Sequence, residues 1–249
     1  MKKLLITLIV STSLSVSSLA VAGGPKEEGK HPFSQLDLSE SQRQDIALIM
    51  RDLRGDNSLF RGERHHHRTN MRELMSMQSW DEEKAEAIIR QGLENSHQLE
   101  INRAKAKHLA YQVLTEDQRA ELKQMYQSGP KNKDRGEYFK QFGKNMNLSE
   151  EQQSQIKQLW DTQHSQLAAL KPQMMLHKQA ERELIAAEEF DEQAYLALHQ
   201  ENIDTQVQMQ LIRQKTRFDM MQILTPEQKK SMKQEFKQKF KERFSHRKS

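Results

Sequence analysis

Cysteine is absent from the 249-residue sequence, and glycine and proline are scarce, with nine and five residues. The lack of cysteine excludes a disulfide framework, a thiol nucleophile and cysteine-based metal sites. So few turn-forming residues argue against an all-β or α/β fold of this length, because such folds need many tight turns and long helices need few. Hydrophobic residues make up only 35% of the chain, so we expect thin, extended helical layers rather than a thick core.

Long hydrophobic runs are also missing, apart from one at the start of the chain. Lys2 and Lys3 precede a run of apolar and small residues from Leu4 to Leu19, and Ala20-Val21-Ala22 then supplies a cleavage site. This order predicts a secretory signal peptide over residues 1–22 and a periplasmic product without a membrane span. Serine and threonine interrupt the run, which disfavours the alternative of an uncleaved N-terminal anchor.

Charge is spread unevenly over the remaining chain. The segment from Lys229 to Ser249 carries a net charge of +7, while the rest of the mature chain carries −5. Export argues against nucleic acid as a partner. We therefore expect the basic end to meet an anionic lipid or an acidic client, or else to be a solvated helix end.

A repeat with a constant offset of 110 residues organises the chain. Leu38-Ser39-Glu40-Ser41-Gln42 returns as Leu148-Ser149-Glu150-Glu151-Gln152, and Leu114-Thr115-Glu116-Asp117-Gln118 returns as Leu224-Thr225-Pro226-Glu227-Gln228. Between these motifs, Arg72-Glu73-Leu74 matches Arg182-Glu183-Leu184. No gap is needed, so we interpret the chain as a tandem duplication.

The repeated L-[ST]-x-x-Q motif has a local physical meaning. Ser or Thr is a good N-cap, and a Gln three residues later can return a hydrogen bond to the cap's backbone N–H. No apolar partner for a hydrophobic staple follows, so we expect each motif leucine to pack against a distant residue. The predicted structural caps are Leu38, Ser39, Gln42, Leu114, Thr115, Gln118, Leu148, Ser149, Gln152, Leu224, Thr225 and Gln228.

These signals predict an all-α fold with about four helices in each unit. We expect helix 1 to end near Leu53 and, before Pro172, near Leu170. Helix 2 should cover residues 63–78 and 173–188, and a long helix 3 should follow Asp81 and Asp191 without interruption to Val113 and Ile223. The chain then divides into a signal peptide (1–22), a disordered lead-in (23–35), a first unit (36–127), a linker (128–145), a second unit (146–240) and a basic tail (241–249).

Catalytic signatures are missing, so we expect a protein that is not an enzyme and needs no cofactor. His65, His66 and His67 form the one cluster that could bind a metal, with one or two of them joined by Asp56, Glu63 or His177. Adjacent helical residues point about 100° apart, so the three histidines cannot converge on one ion. The alternative is an exposed basic stretch formed with Arg61, Arg64, Arg68 and Arg72, and the second unit keeps only His177, with no cluster around it.

Methionine is abundant, with twelve residues after Met1. Flexible thioethers suit a surface that accepts partners of many shapes, but they also fill ordinary cores. The sequence leaves both interpretations open.

Taken together, the four motifs resemble those of the LTxxQ-motif periplasmic proteins of the Spy and CpxP type. The resemblance covers roughly residues 36–127 and 146–240, and Ile223-Leu224-Thr225-Pro226-Glu227-Gln228 is especially similar to the family pattern. It implies a cradle made of two intertwined four-helix units, usually a homodimer. Here the two units are fused, so we expect an intramolecular pseudo-dimer in which the two helix 3 segments run antiparallel.

The resemblance also implies a function. Members of the family act as ATP-independent chaperones that bind unfolded or misfolded envelope proteins during envelope stress. CpxP-like members instead restrain a stress sensor kinase by docking on its periplasmic domain, for which the stretch from Arg61 to Arg72 would be the docking face. A third alternative is periplasmic metal binding through His65, His66 and His67.

Overall fold

A computed structural model describes residues 32–56, 60–128, 143–232 and 234. Within these ranges all regular secondary structure is helical, which confirms the predicted fold class. The predicted signal peptide, most of the linker and the basic tail lie outside the described residues. None of the helices in the described ranges combines the length and the apolar character needed to cross a membrane.

The first unit begins with a short 3-10 helix and continues through five α-helices. The 3-10 helix, Pro32–Gln35, belongs to the segment predicted to be a disordered lead-in, and this part of the prediction is wrong. Phe33 explains the difference, because its ring is buried in the core of the first unit and fixes the turn. The helices are α1 (Glu40–Asp56), α2 (Arg61–Met75), α3 (Glu82–Glu94), α4 (His97–Gln112) and α5 (Glu116–Ser128).

The second unit has the same order of segments but fewer breaks. Its described helices are α6 (Glu150–Ala186), α7 (Glu192–Glu201) and α8 (Ile203–Ile223), followed by helical residues 226–232. The start of the unit overlaps the predicted linker, because residues 143–145 are helical and Gly143 is buried.

Helix α6 overturns the predicted break before Pro172. It is continuous for 37 residues and contains Pro172 in its interior. The two units differ in helix propensity at the corresponding place: the first has Gly55-Asp56-Asn57-Ser58, and the second has Ser165-Gln166-Leu167-Ala168. Gly, Asp, Asn and Ser are weak helix formers, whereas Gln, Leu and Ala are strong ones. The break therefore falls in the first unit, where α1 ends at Asp56 and α2 begins at Arg61.

The long helix 3 is interrupted once in each unit, so the prediction of an unbroken helix is also wrong. In the first unit α3 ends before Asn95 and Ser96. The Ser96 hydroxyl donates a hydrogen bond to the carbonyl of Leu93 at 2.8 Å, and its N–H bonds to the same carbonyl. In the second unit the buried Asn202 separates α7 from α8. A serine hydroxyl that bonds a carbonyl of its own helix disturbs the helix as seen at Ser96, whereas the Asn202 side chain lies next to the Met174 sulfur.

The two units pack against each other in antiparallel order. Helix α3 contacts α8, and α4 contacts α7 and the end of α6. We call this contact the seam. Two clusters fill it: the first seam cluster contains Met71, Leu74, Ala85, Ile88, Ile89 and Val207, and the second contains Ile101, Ala104 and Tyr195 with Leu184, Phe190 and Leu196.

Pairs of aromatic rings show that the seam has pseudo-twofold symmetry. Trp80 of the first unit lies 5.5 Å from Phe218 of the second, measured between ring centroids. Phe190 and His108, which occupy the equivalent positions with the units exchanged, lie 5.8 Å apart. A contact repeated with the partners exchanged is the property of a twofold interface. The duplicated chain thus makes within one molecule the kind of contact that a homodimer makes between two.

Candidate functional site

The repeated motifs place a capping box at the start of each helix they precede. Ser149 Oγ accepts a hydrogen bond from the Gln152 N–H, and Gln152 Oε1 accepts one from the Ser149 N–H, both at 3.1 Å. The other three motifs form the same pair of bonds, at 2.9 to 3.3 Å. Each of these exposed caps uses the oxygen of the Gln side chain and leaves its amide nitrogen, Nε2, free to bond elsewhere.

That amide joins the two motifs of each unit. Gln42 Nε2 donates to Gln118 Oε1 at 2.8 Å, and Gln118 Nε2 donates back to Gln42 Oε1 at 3.1 Å. Gln152 and Gln228 form the same reciprocal pair in the second unit, at 2.9 and 3.1 Å. We call each pair a glutamine clasp. It joins two helix starts that lie 76 residues apart. The spacing within a single motif does not predict it.

Backbone carbonyls complete the hydrogen bonding of each clasp. Gln42 Nε2 also donates to the carbonyl of Val113 at 2.9 Å, and Gln118 Nε2 donates to that of Asp37 at 2.7 Å. The motif leucines lie beneath: Leu38 and Leu114 share one buried cluster, and Leu148 and Leu224 share another. The distant partner of each motif leucine is therefore the other motif leucine of the same unit. In the structure the twelve motif residues thus make capping, clasp and core contacts.

The three adjacent histidines are divided between two environments. His65 and His66 are exposed, whereas His67 turns toward α3 and places Nδ1 3.2 Å from the carbonyl of Ile88. The ring of His67 lies against Gly92, where an added Cβ would come within 2.5 Å of Nδ1. Among the described residues no group of three His, Asp or Glu could hold a metal ion, so the geometry gives the metal-binding alternative no support. The side chain of Asp56 lies outside the described side chains.

The predicted basic stretch forms a stripe along the outer face of α2. Arg61, His65, Arg68 and Arg72 are exposed and follow one another at helical spacings of four, three and four residues. Within the described part of the chain, Arg61, Arg68 and Arg72 make no ion pair, because the ion pairs there join other side chains. Arg64 lies to one side, half-buried, with Nε donating to the carbonyl of Phe60. We call the four exposed residues the α2 stripe.

An equivalent stripe, which was not predicted from the sequence, runs along α6. Adding 110 to each position of the α2 stripe gives Lys171, Met175, Lys178 and Arg182, all of them exposed. The cations are kept, but the central histidine is replaced by methionine. Met175 is 61% exposed and its neighbour Leu176 is 69% exposed, which makes them the most exposed large apolar residues of the described chain. We call the four residues, together with Leu176, the α6 stripe; the repeat offset alone would have located them.

The methionines fall into both of the classes left open by the sequence. Met71 and Met146 are buried in cores, and Met174 is half-buried beside Asn202. Met175 points into solvent, and Met77 is 37% exposed. Most of the thioethers described therefore fill cores, while Met175 is available to a partner.

Comparison with known proteins identifies the repeated unit. The profile of the LTXXQ motif family protein matches residues 26–126 and matches again at residues 137–236. No curated protein and no solved structure matches the chain. The two matched regions contain both glutamine clasps and both stripes.

Proposed function

The chain belongs to the LTXXQ motif family through both of its halves, and on that premise we propose that it is a periplasmic, ATP-independent chaperone-like protein. Its clients are unfolded or misfolded envelope proteins that accumulate during envelope stress. The function is one of binding and not of catalysis.

The α6 stripe is the observation that carries this proposal. Adjacent Met175 and Leu176 stand exposed on a continuous helix, with Lys171 one turn before them and Lys178 and Arg182 after them. Exposed apolar groups rimmed by charges are typical of a surface that binds another protein. An unfolded chain offers apolar side chains and acidic groups in no fixed order, and this stripe can contact both kinds.

The chemistry of the stripe also suits rapid release. Lysine and arginine attract acidic segments over a distance of about 8 Å at physiological salt. Methionine has three rotatable bonds and a polarizable sulfur, so it adapts to client side chains of different shape. Contacts of this shallow kind can form and break without a nucleotide-driven step.

Suppression of aggregation tests the proposal. A chemically denatured protein is diluted into buffer without ATP, and light scattering is followed at a near-stoichiometric amount of the full mature chain. We expect suppression by the wild type, a marked loss with Met175→Gln/Leu176→Gln, and a weaker effect at high salt. Leu48→Gln/Leu109→Gln is the matched control, because these leucines are 47% and 52% exposed but lie outside both stripes.

Two results would count against this function. Wild-type protein that leaves the scattering unchanged would exclude a chaperone role for the tested client class. Equal loss of suppression in both double variants would show that α6 has no special part.

The α2 stripe favours a second function, a regulator that docks on an acidic periplasmic domain of a stress sensor kinase. Three arginines without ion pairs to described residues provide charge complementarity for such a domain, and His65 stands between them. We expect Arg61→Glu/Arg68→Glu/Arg72→Glu to raise the basal activity of the stress regulon in cells. An unchanged regulon in both this variant and the gene deletion would reject the regulatory function.

A further inference from the structure

Two histidines meet inside the second unit, next to the seam. His177 of α6 and His199 of α7 have ring centroids 5.1 Å apart and nearly perpendicular ring planes. His177 is buried, and the ring of Tyr195 lies 4.6 Å from that of His199. The sequence around His177 holds no second histidine, but α7 brings one to it across 22 residues of sequence.

Each of these histidines has a buried nitrogen without a partner. His177 Nδ1 and His199 Nε2 are shielded from solvent and make no hydrogen bond with any described residue. A buried polar atom left in this way costs free energy, and a charge added to it costs more. The surroundings therefore disfavour a positive charge on either ring.

The pair is also connected to the other unit. Glu181 lies one turn after His177 and accepts a hydrogen bond at 3.0 Å from Lys107 of α4, so that this ion pair crosses the seam. The Tyr195 hydroxyl lies 3.5 Å from the same carboxylate. The other titratable or charged groups that act on this cluster are Lys178 of α6 and His97, Glu100 and Arg103 of α4.

These surroundings shift the titration of the cluster in a consistent direction. Burial lowers the pKa of His177 and that of His199, and the attraction of Glu181 does not compensate for it. His177, His97 and Lys107 lower the pKa of His199 further. Burial acts to raise the pKa of Glu181, but Lys107 and the two histidines outweigh it and the pKa is lowered.

Among the described residues, the other end of the seam has no buried pair of histidines. The positions equivalent to Glu181, Tyr195 and His199 are Met71, Ala85 and Ile89, and all three belong to the first seam cluster. Only His177 has a histidine counterpart, His67, and its Nδ1 lies within hydrogen-bond distance of the Ile88 carbonyl. The buried part of the seam is therefore apolar at this end and titratable at the other, and the Arg90–Asp204 ion pair of the apolar end lies toward solvent.

We propose that His177 and His199 make the contact between the two units acid-sensitive at one end, so that acidification loosens α4 from α6 and α7 while α3 and α8 stay packed. Protonation places positive charge on two adjacent rings beside Lys107, and separation of the elements lets water reach them. The second seam cluster, with Phe190 and Leu196, becomes accessible in the same step. This device concerns the seam and does not depend on what the stripes bind.

The direction follows from linkage. A histidine whose pKa is lower in the packed state than in the opened state stabilises the packed state above the ordinary pKa of about 6.5. This stability is lost as the pH falls from there toward the lowered pKa. Each histidine can change the packing equilibrium by up to about tenfold per pH unit in that window.

Hydrogen exchange on the intact mature chain measures the effect. Protection is compared at pH 7.5 and pH 5.5 after correction for intrinsic exchange rates. We expect the protection of residues 97–112 and 192–201 to fall by at least about fivefold, which lies within the limit of about tenfold per pH unit for each histidine. Residues 82–94 should change much less. In His177→Gln/His199→Gln the acid-induced difference between the two ends should disappear, whereas His65→Gln/His66→Gln, which removes two exposed histidines, should behave as wild type.

Equal loss of protection at both ends of the seam, or an undiminished difference in the His177→Gln/His199→Gln variant, would overturn the proposal. If that variant does not fold, NMR titration of the wild-type histidines decides instead. Both rings should titrate below about 6.5, the ordinary histidine value, and a pKa at or above that value for both would refute the device.

Discussion

Each motif glutamine uses its whole side-chain amide. In Gln118 the oxygen accepts from the Thr115 N–H and from Gln42, and the nitrogen donates to Gln42 and to the Asp37 carbonyl. A glutamate could keep the capping bond, but it has no proton to donate at neutral pH. The clasp therefore explains the choice of glutamine, which the capping box alone does not require.

Replacing this amide by a carboxylate should be costly. Gln118→Glu removes both hydrogen bonds that Gln118 Nε2 donates, to Gln42 Oε1 and to the Asp37 carbonyl. We expect the free energy of unfolding to fall by about 1–3 kcal/mol. Urea denaturation followed by circular dichroism measures it. Gln124→Glu adds the same charge on the exposed face of α5 and should stay within about 0.5 kcal/mol of wild type; equal losses in the two variants would show that the clasp contributes nothing.

The contact between Gly92 and the His67 ring gives a second prediction for a single residue. An alanine would improve the propensity of α3 by about 1 kcal/mol, but its Cβ would collide with the His67 ring. We expect Gly92→Ala to destabilise the wild type and to stabilise a His67→Ala background. A double-mutant cycle from thermal unfolding measures the change in stability that Gly92→Ala causes in each background. The same change in both backgrounds would mean that the His67 ring moves aside freely.

Among the elements, the caps and the order of the helices could be predicted from sequence, whereas the continuity of the helices could not. Asp81 and Asp191 accept hydrogen bonds from the third residue beyond them, as good N-caps do. Pro172 predicts a break, but the strong helix formers around it outweigh that preference. The interruptions at Asn95-Ser96 and at Asn202 could not be predicted, because nothing local shows that the Ser96 side chain bonds within its own helix or that Asn202 is buried in the core.

The continuity of α6 implies that Pro172 is tolerated at a cost. Proline has no backbone N–H, so the exposed Pro172 leaves the helix interior without one backbone hydrogen bond. We expect Pro172→Ala to raise the free energy of unfolding by about 1–3 kcal/mol in urea denaturation. Gly62→Ala, at the equivalent position in the first turn of α2, should gain at most about 1 kcal/mol; a larger gain there than at Pro172 would contradict this explanation.

For the whole molecule, the repeat offset was the most informative part of the sequence. It predicted two units, while the antiparallel helix 3 segments were expected from the family resemblance. The exchanged pairs Trp80–Phe218 and Phe190–His108 agree with that expectation. It could not predict how far the units have diverged inside the seam. Met71, Ala85 and Ile89 of one unit occupy the positions equivalent to Glu181, Tyr195 and His199 of the other, and only the packed helices bring each set together.

Zero-length cross-linking of amines to carboxylates tests the central claim, that the two units pack within one chain. An equimolar mixture of ¹⁴N- and ¹⁵N-labelled mature protein is treated with a carbodiimide and digested, and the cross-linked peptides are identified by mass. We predict cross-links across the seam between Lys107 and Glu181 and between Lys105 and Glu192, with both peptides carrying the same isotope. The pairs Lys157–Asp161 and Lys215–Asp219 lie within single helices and serve as positive controls. Seam cross-links that combine the two isotopes, or that are missing while the controls form, would contradict the account.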